Sequence, residues 1–227
     1  LTYQSISIDW DSIDTVLLDM DGTLLDLHFD FYFWTEYLPR KYSEVHNTDL
    51  NQITRYIASR LEQKQGQLEW YSTDYWSDQF KLSIIDAQRE LKHLIAERPQ
   101  VFAFLRQLGA IKKNRVLITN SDRPSIELKF SHSAIEPLLD QVISSHDYSL
   151  AKEQQAFWHQ LQADIDFNPD TTVFIDDSEA VLDSAQQYGI KHLFSIKQPI
   201  SSQVQNIDSK YPMIKDFLSL WGDSQDE

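Results

Sequence analysis

Seven residues, spread across this 227-residue chain, have types and spacings that could do chemistry together. Asp19 and Asp21 stand two apart in Asp19-Met20-Asp21-Gly22-Thr23, Thr119-Asn120 and Lys152 follow far downstream, and Asp176-Asp177 closes the series. Four carboxylates brought together repel one another strongly unless a cation neutralises them. A donor set made only of oxygen selects a hard ion, and Mg²⁺ is the one expected. The seven histidines show no HxH or HExxH spacing, which leaves zinc little support. Mg²⁺ held by carboxylates beside a lysine and a threonine hydroxyl is equipment for gripping a phosphate. Asp19 can present one oxygen to the metal and the other to phosphorus, and a turn would bring Asp21 beside the leaving oxygen. One carboxylate can then attack while the other protonates the alcohol and later takes a proton from water. Gly22 would allow the tight backbone this loop needs.

Each piece alone has a plainer reading. Asp-Gly-Thr is most often a turn, Asp-Asp before Ser178 a helix cap, Asn120-Ser121-Asp122 a cap before the Pro124 helix, and Lys152 a solvated lysine. The order and the placement of the pieces decide against those readings. Short apolar runs at 15–18, 115–118, 141–143, 172–175 and 191–196 read as buried strands. Helical patterns lie at 99–108, ending at Gly109, at 152–165 before Asn168-Pro169, and at 178–188, ending at Gly189. Strand alternating with helix is the mark of a parallel α/β sheet with right-handed crossovers. In such a sheet ligands bind beyond the carboxyl ends of the strands, which is where these side chains fall.

Residues 27–98 break the rhythm. They read as helices at 29–37, 50–65 (with Thr48 as N-cap), 68–80 and 85–97, inserted as a lid into the α/β core. The stretch holds 13 of the 28 aromatic residues, enough for a small core of its own. The expected division is 1–26 and 99–227 as the α/β core, with 27–98 as a helical cap. Asp26, His28 and Asp30 read as polar hinge residues rather than as lining of an entrance.

Composition removes other function classes. Acidic residues number 35 against 20 basic ones, a net charge of −15 that repels nucleic-acid backbones and anionic lipid. The absence of cysteine excludes disulfides, thiolate zinc sites and a cysteine nucleophile. Five scattered glycines cannot form a glycine-rich phosphate loop. No apolar run approaches a membrane span, and Leu1-Thr2-Tyr3-Gln4 lacks the pattern of a signal peptide, so a cytoplasmic protein is expected. The acidic end, 223–227, is expected to fray.

The whole pattern resembles the haloacid dehalogenase superfamily. Its DxDGT motif stands as Asp19-Met20-Asp21-Gly22-Thr23, its second motif as Val116-Leu117-Ile118-Thr119-Asn120, its lysine as Lys152, and its acidic pair as Asp176-Asp177. The resemblance implies a Rossmann-like core and a cap inserted between motifs one and two. It implies Asp19 as the nucleophile of an aspartyl-phosphate and Asp21 as general acid/base. Thr119 and the Asn120 N–H would hold phosphoryl oxygens, and Lys152 would offset their charge. Mg²⁺ would sit on Asp19, the Asp21 carbonyl and Asp177, with Asp176 assisting directly or through water. An aspartate at 21 argues against a dehalogenase or phosphonatase, which leaves a phosphate monoesterase. The run 15–27, with Tyr32-Phe33-Trp34, Trp70-Tyr71, 74–77 and 174–180, is further similar to the bacterial nucleotidases of GMP and IMP. That likeness implies a purine mononucleotide as substrate, with an aromatic ring of the cap stacked on the base. The alternatives are a sugar-phosphate phosphatase or phosphomutase, or a non-catalytic binding module.

Overall fold

The computed structural model describes residues 8–203 and 208–221; the acidic end lies outside the described residues. Among the described residues six parallel strands form one sheet: β1 (Thr15–Leu18), β2 (Asn114–Thr119), β3 (Gln141–Ser144), β4 (Thr172–Ile175), β5 (His192–Ile196) and β6 (Met213–Ile214), in the order β3-β2-β1-β4-β5-β6. The chain builds outward from β1 to β3, then returns to place β4 on the other side of β1. Strand order therefore reverses beside β1, and a crevice opens there at the carboxyl edge. All four residues of β1 and of β4 are buried, as strands covered on both faces must be.

The two-residue period of the strands sorts side chains between two layers. Leu17, Val116, Ile118 and Phe174 pack with Phe157, Trp158 and Leu161 of α9 (Gln155–Ile165) and with Val181, Leu182 and Ala185 of α10 (Glu179–Tyr188). Val16, Leu18, Leu117, Val173 and Ile175 face the opposite layer, with Phe104, Leu105 and Leu108 of α6 (Val101–Ala110) and Ile126 of α7 (Arg123–Phe130). A short helix, α8 (Ser145–Tyr148), leaves β3 through a capping box on Ser144.

Between β1 and β2 lie α1 (His28–Tyr32), α2 (Leu38–His46), α3 (Leu50–Glu62), α4 (Thr73–Phe80) and α5 (Ile84–Arg89), the helical cap. Trp76 stacks on Phe80 at 5.3 Å and meets the edge of Trp34 at 6.1 Å, with Phe33, Ile53 and Ile57 buried around them. Among the described residues no helix is long and apolar enough to cross a membrane.

Several boundaries differ from the sequence expectation. The helix expected at 29–37 continues to His46 through a π turn at Phe33–Tyr37. Pro39 explains the wide turn, because it has no N–H for the Thr35 carbonyl. Asp49, not Thr48, caps α3, its carboxylate accepting from the Gln52 N–H at 2.8 Å. The single helix expected at 68–80 is a 3₁₀ turn, Leu68–Tyr71, followed by α4, because Ser72 leaves helical conformation to cap the Tyr75 N–H. The helix expected at 85–97 is likewise α5 and a 3₁₀ turn at Lys92–Leu94. Gly109 lies within α6 instead of ending it; a Cβ there would stand 2.4 Å from an Arg115 nitrogen, which would have to move aside. Lys152 precedes α9 by a turn rather than opening it. The strand β6 had no apolar run long enough to announce it.

Candidate active site

The carboxyl ends of the strands gather the chemistry-bearing residues. Asp19 follows β1 directly, its N–H donating to the Ile175 carbonyl of β4 at 3.0 Å. The chain then folds back on itself: the Leu24 and Leu25 N–H groups both donate to the Met20 carbonyl, and the Gly22 N–H donates to Leu25. Gly22 sits at φ +85°, in the left-handed region that favours glycine. It also lies against Asp177, where a Cβ would stand 2.3 Å from Oδ2. Thus one residue both turns the loop and leaves room for a carboxylate of the opposite strand end.

Asp19, Asp176 and Asp177 each direct an oxygen into one cluster whose members lie within 4.8 Å of one another. Lys152 is 2 % exposed and bonds both Asp19 Oδ1 (2.6 Å) and Asp176 Oδ2 (2.7 Å), with the Ile118 carbonyl at 3.2 Å. Burial alone would lower the Lys152 pKa, but the two carboxylates outweigh it and hold the ammonium charged. Burial, with repulsion from Asp176 and Asp21, pushes Asp19 up to about 7 despite Lys152. Burial and the charges of Asp19 and Asp176 raise Asp177 well above the usual carboxylate range. One lysine therefore leaves this cluster short of positive charge, and its all-oxygen donors fit a hard divalent ion such as Mg²⁺.

Asp21 stands apart from that cluster, on the cap side. Ser121 Oγ donates to its Oδ2 at 2.7 Å, and the Lys129 ammonium lies 2.6 Å from Oδ1. The latter is an ion pair without a directed hydrogen bond, since Oδ1 lacks a well-aligned donor. Thr119 ends β2 fully buried, its Oγ1 accepting from the Ser121 N–H at 3.0 Å. Asn120 ties the loops together, accepting from the Lys152 N–H and donating to Glu153, both at 3.0 Å. All six predicted side chains, with Asn120, thus line one cavity of about 630 Å³. Its outer wall comes from the cap, including Asp30, Trp34, Trp70, Tyr71 and Gln88.

Cap and core meet through specific polar contacts beside this cavity. Thr73 donates from both its N–H and its hydroxyl to Asp122 Oδ2 at 2.6 Å, while Asp122 Oδ1 caps α7. Tyr71 donates to Glu153 at 2.7 Å. Lys129 of α7 bonds both oxygens of Asp30 in α1, at 3.0 and 2.9 Å. Asp30 therefore lines the entrance, contrary to the hinge expectation. Asp26 lies outside the cavity, accepting from the His28 N–H at 2.8 Å and the Ser201 N–H at 3.2 Å. His28 reaches Ser202 at 2.9 Å, also outside the cavity. Sequence reasoning missed Lys129, Thr73 and Gln88, none of which belongs to a local motif.

Comparison with known proteins agrees with this arrangement. A haloacid dehalogenase-like hydrolase profile matches residues 16–194. The chain is 35% identical over 215 residues to the GMP/IMP nucleotidase YrfG of Escherichia coli (strain K12), covering 95% of this chain and 97% of that protein, and equally to its Shigella flexneri counterpart. In fold it is similar to a crystal structure of a HAD phosphatase from Thermococcus onnurineus, with a TM-score of 0.73 at 16% identity over 88% of this chain and 93% of that one. The motifs, the parallel sheet with its helical cap and this extent of similarity show that the chain belongs to the haloacid dehalogenase-like hydrolases.

Proposed function

We propose that this phosphoric monoester hydrolase removes the 5′-phosphate of purine mononucleotides such as GMP and IMP, in the cytoplasm, through an aspartyl-phosphate on Asp19. The observation that carries the chemistry is the pairing of Asp19 with Lys152 inside a three-carboxylate cluster, opening on a cavity with an aromatic cap wall. Asp19, Asp177 and the Asp21 carbonyl would hold Mg²⁺, with Asp176 assisting; when bound, the ion draws charge from the phosphoryl oxygens.

In the first step an Asp19 oxygen attacks phosphorus as the bond to the leaving oxygen breaks. The Asp21 carboxyl gives that oxygen its proton. In the second step water attacks the same phosphorus, Asp21 takes the proton, and the Asp19–phosphorus bond breaks. Lys152 keeps Asp19 oriented and offsets charge, while Thr119 and the Asn120 N–H hold phosphoryl oxygens. Residues 27–98 act as the cap. Paired backbone at its two ends supports hinges there: the Asp26 N–H donates to Ala96 at 2.9 Å and the Arg98 N–H to Leu24 at 3.0 Å.

The purine assignment draws support from the 35% identity to a GMP/IMP nucleotidase over nearly the full length of both chains. It also draws support from Trp34 and Trp70 on the cavity wall, where a ring can stack on a base. Steady-state kcat/KM across nucleoside monophosphates and sugar phosphates tests it. GMP and IMP are expected to lead. A sugar phosphate turned over equally well, or phosphate retained on the sugar, overturns it.

A further inference from the structure

Lys129 is a buried charge that the proposed mechanism leaves without a task. It sits near the end of α7, where a lysine would ordinarily reach solvent, yet its side chain is only 3% exposed. Its ammonium lies 2.6 Å from Asp21 Oδ1 and within 3.0 Å of both Asp30 oxygens, with the Phe29 ring 5.6 Å away. A buried ammonium is costly unless carboxylates surround it, so a site that needed only packing between cap and core would be better served by an apolar residue. The three charged groups come from three separate parts of the fold. Asp21 belongs to the loop after β1, Lys129 to a core helix, and Asp30 to the first cap helix. Ser121 grips the other oxygen of Asp21 at 2.7 Å, so the carboxyl group is held from both sides.

We propose that Lys129 is the positioning residue for Asp21, and that Asp30 makes this positioning depend on the seated cap. This rests on the reading of Asp21 as general acid/base. Lys129 and Ser121 fix the carboxyl rotamer so that its proton is delivered to the leaving oxygen. Asp30 shares the ammonium and so fixes the position from which Lys129 meets Asp21. Lys129 itself neither gives nor takes a proton. With α1 displaced, Asp30 withdraws, Lys129 loses one of the two carboxylates that fix its ammonium, and Asp21 is held less firmly until the cap carries α1 back over a bound substrate. The first step then balances as before: the Asp19–phosphorus bond forms, the phosphorus–oxygen bond breaks, and the Asp21 proton ends on the departing alcohol.

The test is the dependence on leaving group at unchanged recognition. From IMP the nucleoside leaves as an alkoxide that needs a proton, whereas from the bridging 5′-S-phosphorothiolate it leaves as a thiolate that does not. Single-turnover rates of the first step are compared for wild type, D21N, K129M and D30N, with thermal midpoints as a folding control. A positioned general acid contributes about 10²–10⁴-fold. Lys129→Met is therefore expected to slow IMP cleavage by about a hundredfold and the thiolate analogue by less than tenfold, and Asp30→Asn to shift the ratio the same way by about tenfold. Equal losses on both substrates in K129M overturn the proposal. Should K129M not fold, an unshifted ratio in D30N overturns it. If D21N itself shows no leaving-group preference, the reading of Asp21 fails. If wild type leaves IMP intact, the nucleotide reading fails, and alkyl against aryl phosphates supply the same comparison.

Discussion

Replacing Gly22 with alanine separates turn geometry from metal binding. At φ +85° an L-residue costs roughly 1–2 kcal/mol in backbone strain. In a chain of this size each kcal/mol lowers the thermal midpoint by about 2–4 °C, so the fold should survive with a midpoint lower by about 2–8 °C. The second effect falls on Asp177. The new Cβ would lie 2.3 Å from Oδ2 and 2.6 Å from Cγ, so the carboxylate has to retreat by about 1 Å to reach ordinary contact. A side chain can move that far without unfolding anything, but Asp177 then no longer faces Asp19 and Asp176. Disturbing the surroundings of a metal ligand typically costs 10–100-fold in affinity. Initial rates measured against Mg²⁺ concentration should show half-saturation shifted upward by that factor, with much of the rate recovered at high Mg²⁺. A lowered midpoint with unchanged Mg²⁺ half-saturation would refute the reasoning, because it would make Gly22 a turn residue and remove Asp177 from the metal site.

Three further outcomes follow from the same geometry. Lys152→Met strips the counter-charge from both Asp19 and Asp176; losing one partner of a buried pair costs about 3–5 kcal/mol, so both the thermal midpoint and the hydrolysis rate should fall steeply, by at least about a hundredfold for the rate. Because burial raises Asp19 to about 7 and also raises Asp176 and Asp177, the folded chain binds more protons than the unfolded one above the normal carboxylate range. Metal-free stability should therefore fall as pH rises from about 4 through 7, while the gain in midpoint on adding Mg²⁺ should grow over the same interval; calorimetry showing a gain independent of pH would contradict this. Trp70→Ala removes a candidate stacking face worth roughly 1–3 kcal/mol, so KM for GMP should rise about 5- to 150-fold while hydrolysis of a small alkyl phosphate stays unchanged. Equal effects on both substrates would make Trp70 cap core only.

The strands and the residues at their ends were legible because each is a local signal. Three- to six-residue apolar runs fixed where the sheet lay, and the motif aspartates follow those runs directly. The topology then brings Asp19 and Asp176 into contact with Lys152 with no further information needed. The cap was less legible, since its breaks depend on individual residues acting against helical periodicity. Pro39 widens a turn that its neighbours would have kept regular, and Ser72 stops one helix to cap the next. Gly109 reads as a helix end in sequence but lies inside α6, against the Arg115 side chain of the next strand. Lys129, Asp30, Thr73 and Asp122 gain their importance only from partners 49 to 108 positions away. No spacing along the chain encodes such pairs.

The central claim is that Asp19 carries the phosphoryl group during turnover. Acid quenching during turnover of labelled IMP, followed by peptide mass spectrometry, tests it directly. The account predicts one phosphoryl group on the peptide containing Asp19, absent from D19N. A fully active enzyme with no acid-stable label on that peptide, or unchanged activity in D19N, would contradict it.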